Sequence, residues 1–417
     1  MQGTAGGRRL PAVSARTRIG AAAALITAAL LCLWPLAASA ARGAEVTGFV
    51  VFWDSGQSRR DFAAHLALWS DPSYDAATIT PQGGVQVAVP KSGRELQLSR
   101  HLKIFLCVSN YGTSDFDPRE LRRILQSAAL TRRLAANIVA AAQRGGYAGI
   151  NIDFEENPAA DAGRLARLLS TLRAELHKAG RRLTVDVPAK TPGDTWDGGY
   201  DLGAIGRAVD GVIVMAYDDH GPGGPPGPIA PAPWVRRTLA YTLQRIPRSK
   251  VFLGVPAYAY DWHGRQTDTL TLPQVQRLIA RLKIAPRWNG VAQTPYFRYR
   301  DASGQLHTIY YEDARSLAAQ LALARRYGVA GVSVWYVGSE TPAMRAELAA
   351  YAKGGQRSPV RAPAHLWLRR SRRSARGRSC PFRSCRARSV RSVRAGSRPG
   401  VRSPSAASAG RGSGGSP

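Results

Sequence analysis

The sequence predicts an α/β fold, a (β/α)8 TIM barrel with a small α+β insertion between strands seven and eight. Three observations point there. Eight short apolar runs alternate with amphipathic helical stretches between residues 45 and 352. Several of these runs are nearly continuous in apolar residues, as parallel strands buried on both faces should be. The segment between the last two runs is too long for a simple crossover. Eight strands separated by helices favour closure into a barrel over an open doubly wound sheet.

The chain opens with an export signal, taken as residues 1–44. Arg8, Arg9, Arg16 and Arg18 form a basic region, an apolar run follows from Ile19 to Leu36, and Ala38-Ser39-Ala40 supplies small residues for cleavage. An uncleaved membrane anchor is the rival reading, because the run is almost long enough to span. Both place the body, 45–353, outside the cytoplasm, either secreted, periplasmic or in the cell envelope.

The strand-like runs are Val46–Trp53, Ala76–Thr80, Lys103–Ser109, Ala148–Phe154, Leu183–Pro188, Gly211–Tyr217, Val251–Ala257 and Val329–Tyr336. Asp117-Pro118-Arg119-Glu120 starts a helix: Asp117 caps, Pro118 occupies the first turn, and Glu120 can reach back to the cap amide. Gly145-Gly146 stops the helical region that follows. Leu165, Leu168, Leu169, Leu172 and Leu176 form one stripe facing a sheet, ended by Gly180. Residues of about 264–313 hold a helix-like segment, Leu272–Leu282. They also hold a hairpin in which Phe297-Arg298-Tyr299 and His307–Tyr310 flank a Ser303-Gly304 turn. This insertion is expected to wall one side of a cleft. Beyond 354 the composition turns to Arg, Ser, Gly, Pro and Ala, with too little apolar surface to offset ordering entropy.

The 417 residues are 44% hydrophobic, which permits a large core. The formal charge of +30 sits mainly at the ends: five Arg and no acid in 1–44, sixteen Arg and no acid in 357–417, leaving +9 for the body. A nucleic-acid partner is therefore not expected, although the tail suits an anionic envelope polymer. Cys107 lies alone in an apolar run and suits a packed core. Cys32, Cys380 and Cys385 lie in the terminal segments. No metal-ligand spacing, P-loop or dinucleotide fingerprint occurs, so no metal and no cofactor is expected.

Chemistry concentrates in Ala148-Gly149-Ile150-Asn151-Ile152-Asp153-Phe154-Glu155. On a strand, Asn151, Asp153 and Glu155 share one face, which in a barrel points inward and climbs toward the C-terminal rim. Polar groups there are costly unless they bond to one another or to substrate. Asp153 can raise the pKa of Glu155 by like-charge repulsion, favouring a protonated acid. The bland alternative is a pair of structural carboxylates matched by Arg.

These residues resemble the D-x-x-D-x-D-x-E signature of glycoside hydrolase family 18, the chitinase-like barrels. Met215-Ala216-Tyr217-Asp218 matches that family's M-x-Y-D, and Trp335 matches its barrel-floor tryptophan. The similarity is nearer to a bacterial branch of spore cortex-lytic N-acetylglucosaminidases and glycan-synthase-fused hydrolase domains. It is carried by His220, Gly227-Pro228-Ile229-Ala230, Tyr258-Ala259-Tyr260-Asp261-Trp262 and Gly338-Ser339-Glu340. The resemblance implies cleavage of a β-linked N-acetylhexosamine polymer, whether peptidoglycan, chitin-type glycan or exopolysaccharide. The substrate's 2-acetamido group would be the nucleophile. It implies that Glu155 protonates the glycosidic oxygen and then deprotonates water. Asp153 would hold the acetamide, Tyr217 would bond its carbonyl, Trp335 would stack under the −1 sugar, and Asp218 would bind a hydroxyl or the acetamide region. Two departures stand out: Ala148 replaces the first Asp of the signature and Asn151 the second.

Asn151, Tyr258, Trp53 and Asn110 complete the expected sugar contacts, with Asp54, Tyr260, Asp261 and Trp262 as further candidates. Asn110 suits a turn equally well, Trp335 also reads as plain core, and Tyr217 as a side chain that hydrogen-bonds backbone. His220 is expected to be peripheral. A monomer is expected. A chitinase-like barrel that binds glycan without cutting it is the alternative, though the acid, Glu155, is present.

Overall fold

Parallel pairing around a closed ring carries this fold. The computed structural model describes residues 44–89, 94–194 and 198–354, with the isolated Gly3. The expected signal peptide, the Arg-rich tail, Cys32, Cys380 and Cys385 lie outside the described residues apart from Gly3, Ala44 and Gly354. Among the described residues no helix is long and apolar enough to cross a membrane.

The strands, in chain order, are β1 (Glu45–Val51), β2 (Ser73–Ile79), β3 (Val85–Val87), β4 (Phe105–Ser109), β5 (Gly149–Asp153), β6 (Arg182–Pro188), β7 (Gly211–Met215), β8 (Val251–Pro256), β9 (Tyr258–His263), β10 (Gln266–Thr271), β11 (Arg287–Asn289), β12 (Thr294–Arg300), β13 (Leu306–Tyr311) and β14 (Gly331–Trp335). The barrel runs β1-β2-β4-β5-β6-β7-β8-β14 and closes because β1 pairs in parallel with both β14 and β2. Each expected apolar run overlaps one barrel strand. The second begins at Ser73 rather than Ala76, and so takes in Asp75.

Two layers of packing follow from the sequence pattern. Outside, the apolar sides of the strands meet helical stripes. Leu165, Leu168, Leu169, Leu172 and Leu176 of the helix Ala162–Lys178 are all buried against the sheet. Inside, Phe49, Cys107, Ile213 and Phe252 make a separate apolar plug, with Trp335 and Tyr336 resting on it. The barrel interior is thus a filled core that supports a floor near its C-terminal end.

Caps behave as the sequence indicates, with one difference. Asp117 accepts from the backbone N–H groups of Arg119 and Glu120, both at 2.9 Å. Glu120 does not reach back, because the Asp117 amide donates to the Asn110 carbonyl at 2.9 Å instead. The sheet ahead of the eighth barrel strand, ordered β10-β9-β13-β12-β11, is antiparallel and carries the helix Leu272–Leu282. It starts at Tyr258, in the segment the sequence assigns to the loop after the seventh strand. Its β12–β13 turn rests on Asp301, which accepts from the backbone of Ser303 and Gln305, and on Gly304 at φ 84°.

Leu169 has no exposed surface and lies mid-helix on the barrel wall. Leu169→Ala should lower unfolding free energy by about 2–5 kcal/mol, measured by urea denaturation.

Candidate active site

Register builds the site. Asp75 of β2 pairs with Cys107 of β4, Cys107 with Asn151 of β5, and Asn151 with Thr184 of β6. Four neighbouring strands therefore present polar or thiol side chains at one level. Above them lie Asp153, two residues along β5, and Asp186, two residues along β6. A carboxylate oxygen of each and Cys107 Sγ all lie within 4.8 Å of one another. Burial and the surrounding acids push the Cys107 thiol well up. It is a protonated thiol among largely protonated acids, which is a poor cation ligand set.

Above this stands Glu155, at the rim of a cleft of about 670 Å3. Strand pairing ends at Asp153, so local hydrogen bonds hold the next residues. The Asn110 side chain accepts from the Glu155 N–H at 2.8 Å and donates to the Glu155 carbonyl at 3.1 Å. The Tyr200 hydroxyl donates to the Phe154 carbonyl at 2.7 Å. Asn157 Nδ2 donates to the Gly199 carbonyl at 2.7 Å, and a Cβ on Gly199 would fall 1.7 Å from the Asn157 carbonyl oxygen. Only glycine permits that approach.

Burial, followed by the charges of Asp153, Asp186, Asp218 and Glu156, pushes the Glu155 carboxyl well above its ordinary value. Burial and then Asp75 raise Asp153 to about 8. Asp186 is raised well above the usual range by burial and by Asp153, and burial raises Asp75 to about 7. The described residues lining the cleft include no Lys, Arg or His. Protons therefore take the place of counter-ions.

The cleft walls are aromatic. Trp335, on β14, packs edge-on against Phe49 at 5.3 Å and lies 6.2 Å from Trp53. Tyr217 and Asp218 follow β7. Gly254 leaves room for the Tyr217 ring, since a Cβ there would lie 3.1 Å from Tyr217 Cε1. Asp218 has φ 63° and accepts from the Tyr258 hydroxyl at 2.5 Å. Burial sets its carboxyl at about 6, while hydrogen bonds from Tyr258 and Tyr260 pull it down. Tyr258, Tyr260 and Trp262 alternate along β9 and continue edge-on to Tyr310 of β13. The antiparallel sheet thus hands two tyrosines to the cleft.

Of the residues expected from sequence, Glu155, Asp153, Tyr217, Asp218, Trp335, Tyr258 and Trp53 line one cleft. Two expected sugar contacts are corrected. Asn151 has no exposed surface, and its amide is spent on Asp186 and Thr184 beneath Asp153. Asn110 is 2% exposed and is spent on the Glu155 backbone, the turn role left open by the sequence. Among the further candidates, Asp54 caps the helix Gln57–Ala64 through the N–H groups of Gly56 and Ser58. Asp261 is buried against His307 at 2.8 Å. His220 holds its own loop through Pro225. Sequence reasoning missed Asp75 and Asp186, which both line the cleft. Asp186 alternates with Thr184 inside an otherwise apolar run, and that was the available signal.

A parallel eight-stranded barrel whose C-terminal rim carries a crowded protonated acid over an aromatic floor defines a glycoside hydrolase. Residues 77–340 match the sequence profile of Glycosyl hydrolases family 18, and the chain belongs to that family. It is 32% identical over 247 residues to YdhD of Bacillus subtilis, spanning 58% of this chain and 59% of that one. It therefore covers less than two thirds of that relative's length. It is 29% identical over 296 residues to the cortical fragment-lytic enzyme of Bacillus subtilis, covering 69% and 68% of the two chains. Among solved structures it resembles the chitinase of Chromobacterium violaceum ATCC 12472, with TM-score 0.69 and 30% identity. That match covers 74% of this chain and 99% of that one.

Asp75 should titrate as a burden on the fold. Its folded pKa of about 7 lies above the unfolded 3.8, so the folded state holds the proton more tightly. Its cost is absent well below pH 3.8, is still small at pH 4, grows as pH rises, and is complete above pH 7. Asp75→Asn should therefore raise Tm at pH 8 and leave it nearly unchanged at pH 4. Asn110→Ala should lower kcat with little change in KM, because it frees the Glu155 backbone without touching the aromatic walls. Steady-state kinetics checks the split.

Proposed function

We propose that this chain is an exported glycoside hydrolase that cleaves β-linked N-acetylhexosamine polymers with retention, through the substrate's own 2-acetamido group. The carrying observation is Glu155: a carboxyl raised well above its usual value, clamped at the rim of an aromatic cleft, with Asp153 below it.

Each step has a group suited to it. Glu155 gives its proton to the glycosidic oxygen as the bond from C1 to that oxygen breaks. The acetamide carbonyl oxygen bonds to C1, forming an oxazolinium ion. The ionised Glu155 then takes a proton from water, whose oxygen bonds C1 and reopens the ring. Tyr217 keeps its hydroxyl proton at any working pH, since burial and nearby acids push it well up, so it is a donor for the acetamide carbonyl. Asp153 accepts from the acetamide N–H. Trp335, with Trp53 beside it, offers a face for sugar stacking. Asp218, held by Tyr258 and Tyr260, meets a hydroxyl.

The cleft binds through stacking and hydrogen bonds to acids and phenols, with no cation among its described residues. That favours an uncharged glycan stretch over one bearing carboxylates at each sugar. Chitin-type glycan is uncharged in this way, and peptidoglycan and exopolysaccharide are the other candidate polymers. The Arg-rich tail is the part of the proposal that retains the protein on an anionic envelope polymer.

Glu155→Gln should lower turnover of a fluorogenic N-acetylglucosamine oligomer by about 10²–10⁴-fold while leaving Tm and glycan binding intact. Unchanged turnover refutes the assignment. N-acetylated oligomers should be cut with retention and fully deacetylated ones left whole. A covalent glycosyl-enzyme on Asp75 or Asp186, seen by mass spectrometry, would overturn the substrate-assisted route.

A further inference from the structure

We propose that Asp186 is the proton partner of Asp153, a positioning residue that supplies from β6 the second carboxyl that Asn151 does not supply on β5. This rests on the reading of Asp153 as the acceptor for the substrate's acetamide.

The hydrogen-bond pattern assigns the roles. Thr184 Oγ1 donates to Asn151 Oδ1 at 2.6 Å, which fixes the amide with its nitrogen turned the other way. Asn151 Nδ2 then donates to Asp186 Oδ2, also at 2.6 Å. Asp186 Oδ1 and Asp153 Oδ1 are both buried and have no hydrogen-bond partner among the described residues. Asp153 is 7% exposed and Asp186 3%. The groups facing this pair are Asp75 from β2, Cys107 from β4, Glu155 above β5 and Tyr217 beyond β7. None of them is a cation. Two negative charges this close in a dry pocket repel strongly, so the pair retains one proton.

The substrate requires that proton on Asp186. The acetamide N–H needs an ionised acceptor, and the cationic oxazolinium needs an anion beneath it. Both are met when Asp186 holds the shared proton and Asp153 is ionised. Asp186 is suited to keep the proton because it sits deeper, and its burial outweighs the hydrogen bond from Asn151, which favours the ionised form. Its carboxyl is raised well above the usual range by burial and Asp153, whereas Asp153 gives up its proton at about 8.

The test follows carboxyl 13C shifts of aspartate-labelled full-length protein at neutral pH, with and without a thiazoline analogue of the oxazolinium ion. Asp153→Asn and Asp186→Asn assign the two signals by their disappearance. In the complex Asp186 should show its protonated position and Asp153 its ionised one. An Asp186 signal that is ionised in the complex overturns the proposal. An analogue that does not bind at all overturns the acetamide reading and this assignment with it. Kinetics gives an independent arm. Asp186→Ala should lower kcat about tenfold to a hundredfold, as loss of a supporting partner does, with KM nearly unchanged. Asp186→Asn should recover most of that loss, since its amide still donates to Asp153. Wild-type kcat in the Ala variant, or an Asn variant no better than Ala, overturns it. The labelled native chain decides the matter if the Ala variant does not fold.

Discussion

Everything at the open end of this barrel depends on keeping carboxyl groups out of water without giving them cations. Asp75, Asp153, Asp186 and Glu155 converge from β2, β5 and β6, and the cleft lining holds no Lys, Arg or His among its described residues. An isolated buried carboxylate is too costly to persist. The cluster meets that cost with protons and with a neutral hydrogen bond from Asn151, whose amide Thr184 holds in place. A general acid must hold its proton near neutral pH, and this environment makes Glu155 hold one. The same burial that loads the acid strains the fold as pH rises, so reactivity and stability trade against each other here.

Placement is divided between two kinds of structure. Strand pairing sets Asp153 and Asp186 to one level, because parallel register is rigid and shared between neighbours. Glu155 lies beyond the last strand pair, where register no longer helps. Asn110, Tyr200 and Gly199 take over by gripping the backbone on either side of it. The antiparallel insertion does a third job. Its β9 places Tyr258 and Tyr260 on Asp218, while the ring ladder through Trp262 to Tyr310 braces them from behind. The insertion is therefore part of the cleft wall and of its electrostatics together.

The fold was legible because parallel barrel strands are buried on both faces and stand out as apolar runs. The rim was legible where a motif kept its spacing, as in Asp153 and Glu155 or Tyr217 and Asp218. Side-chain direction was not. Asn110 and Asn151 sit among residues that line the cleft, yet both turn to protein partners, and no local pattern distinguishes a polar group aimed at sugar from one aimed at backbone. Asp186 was hidden inside the run Leu183–Pro188, where its neighbours argued for plain core. Asp75 was hidden by a boundary. The apolar run of the second strand begins at Ala76, and a register shift between Asp75 and Ala77 breaks the alternation that would place Asp75 inside.

The two departures from the family signature differ in weight. Ala148 precedes β5, its N–H donating to the Ile104 carbonyl and its own carbonyl accepting from Arg182. Five residues of strand separate it from Asp153, about 17 Å at the usual rise. A carboxylate there would face the stabilising end of the barrel, not the cleft. Asn151 lies directly under Asp153, so a neutral amide there removes a titrating group from the reaction's own environment. Asp186 lies two residues beyond Thr184, the β6 partner of Asn151, and occupies the same layer as Asp153. A second carboxyl therefore stands beside Asp153 in that layer, supplied by β6. Neighbouring parallel strands bring inward side chains to one level, so a carboxyl on β6 reaches Asp153 from the side while the neutral amide lies beneath it on β5.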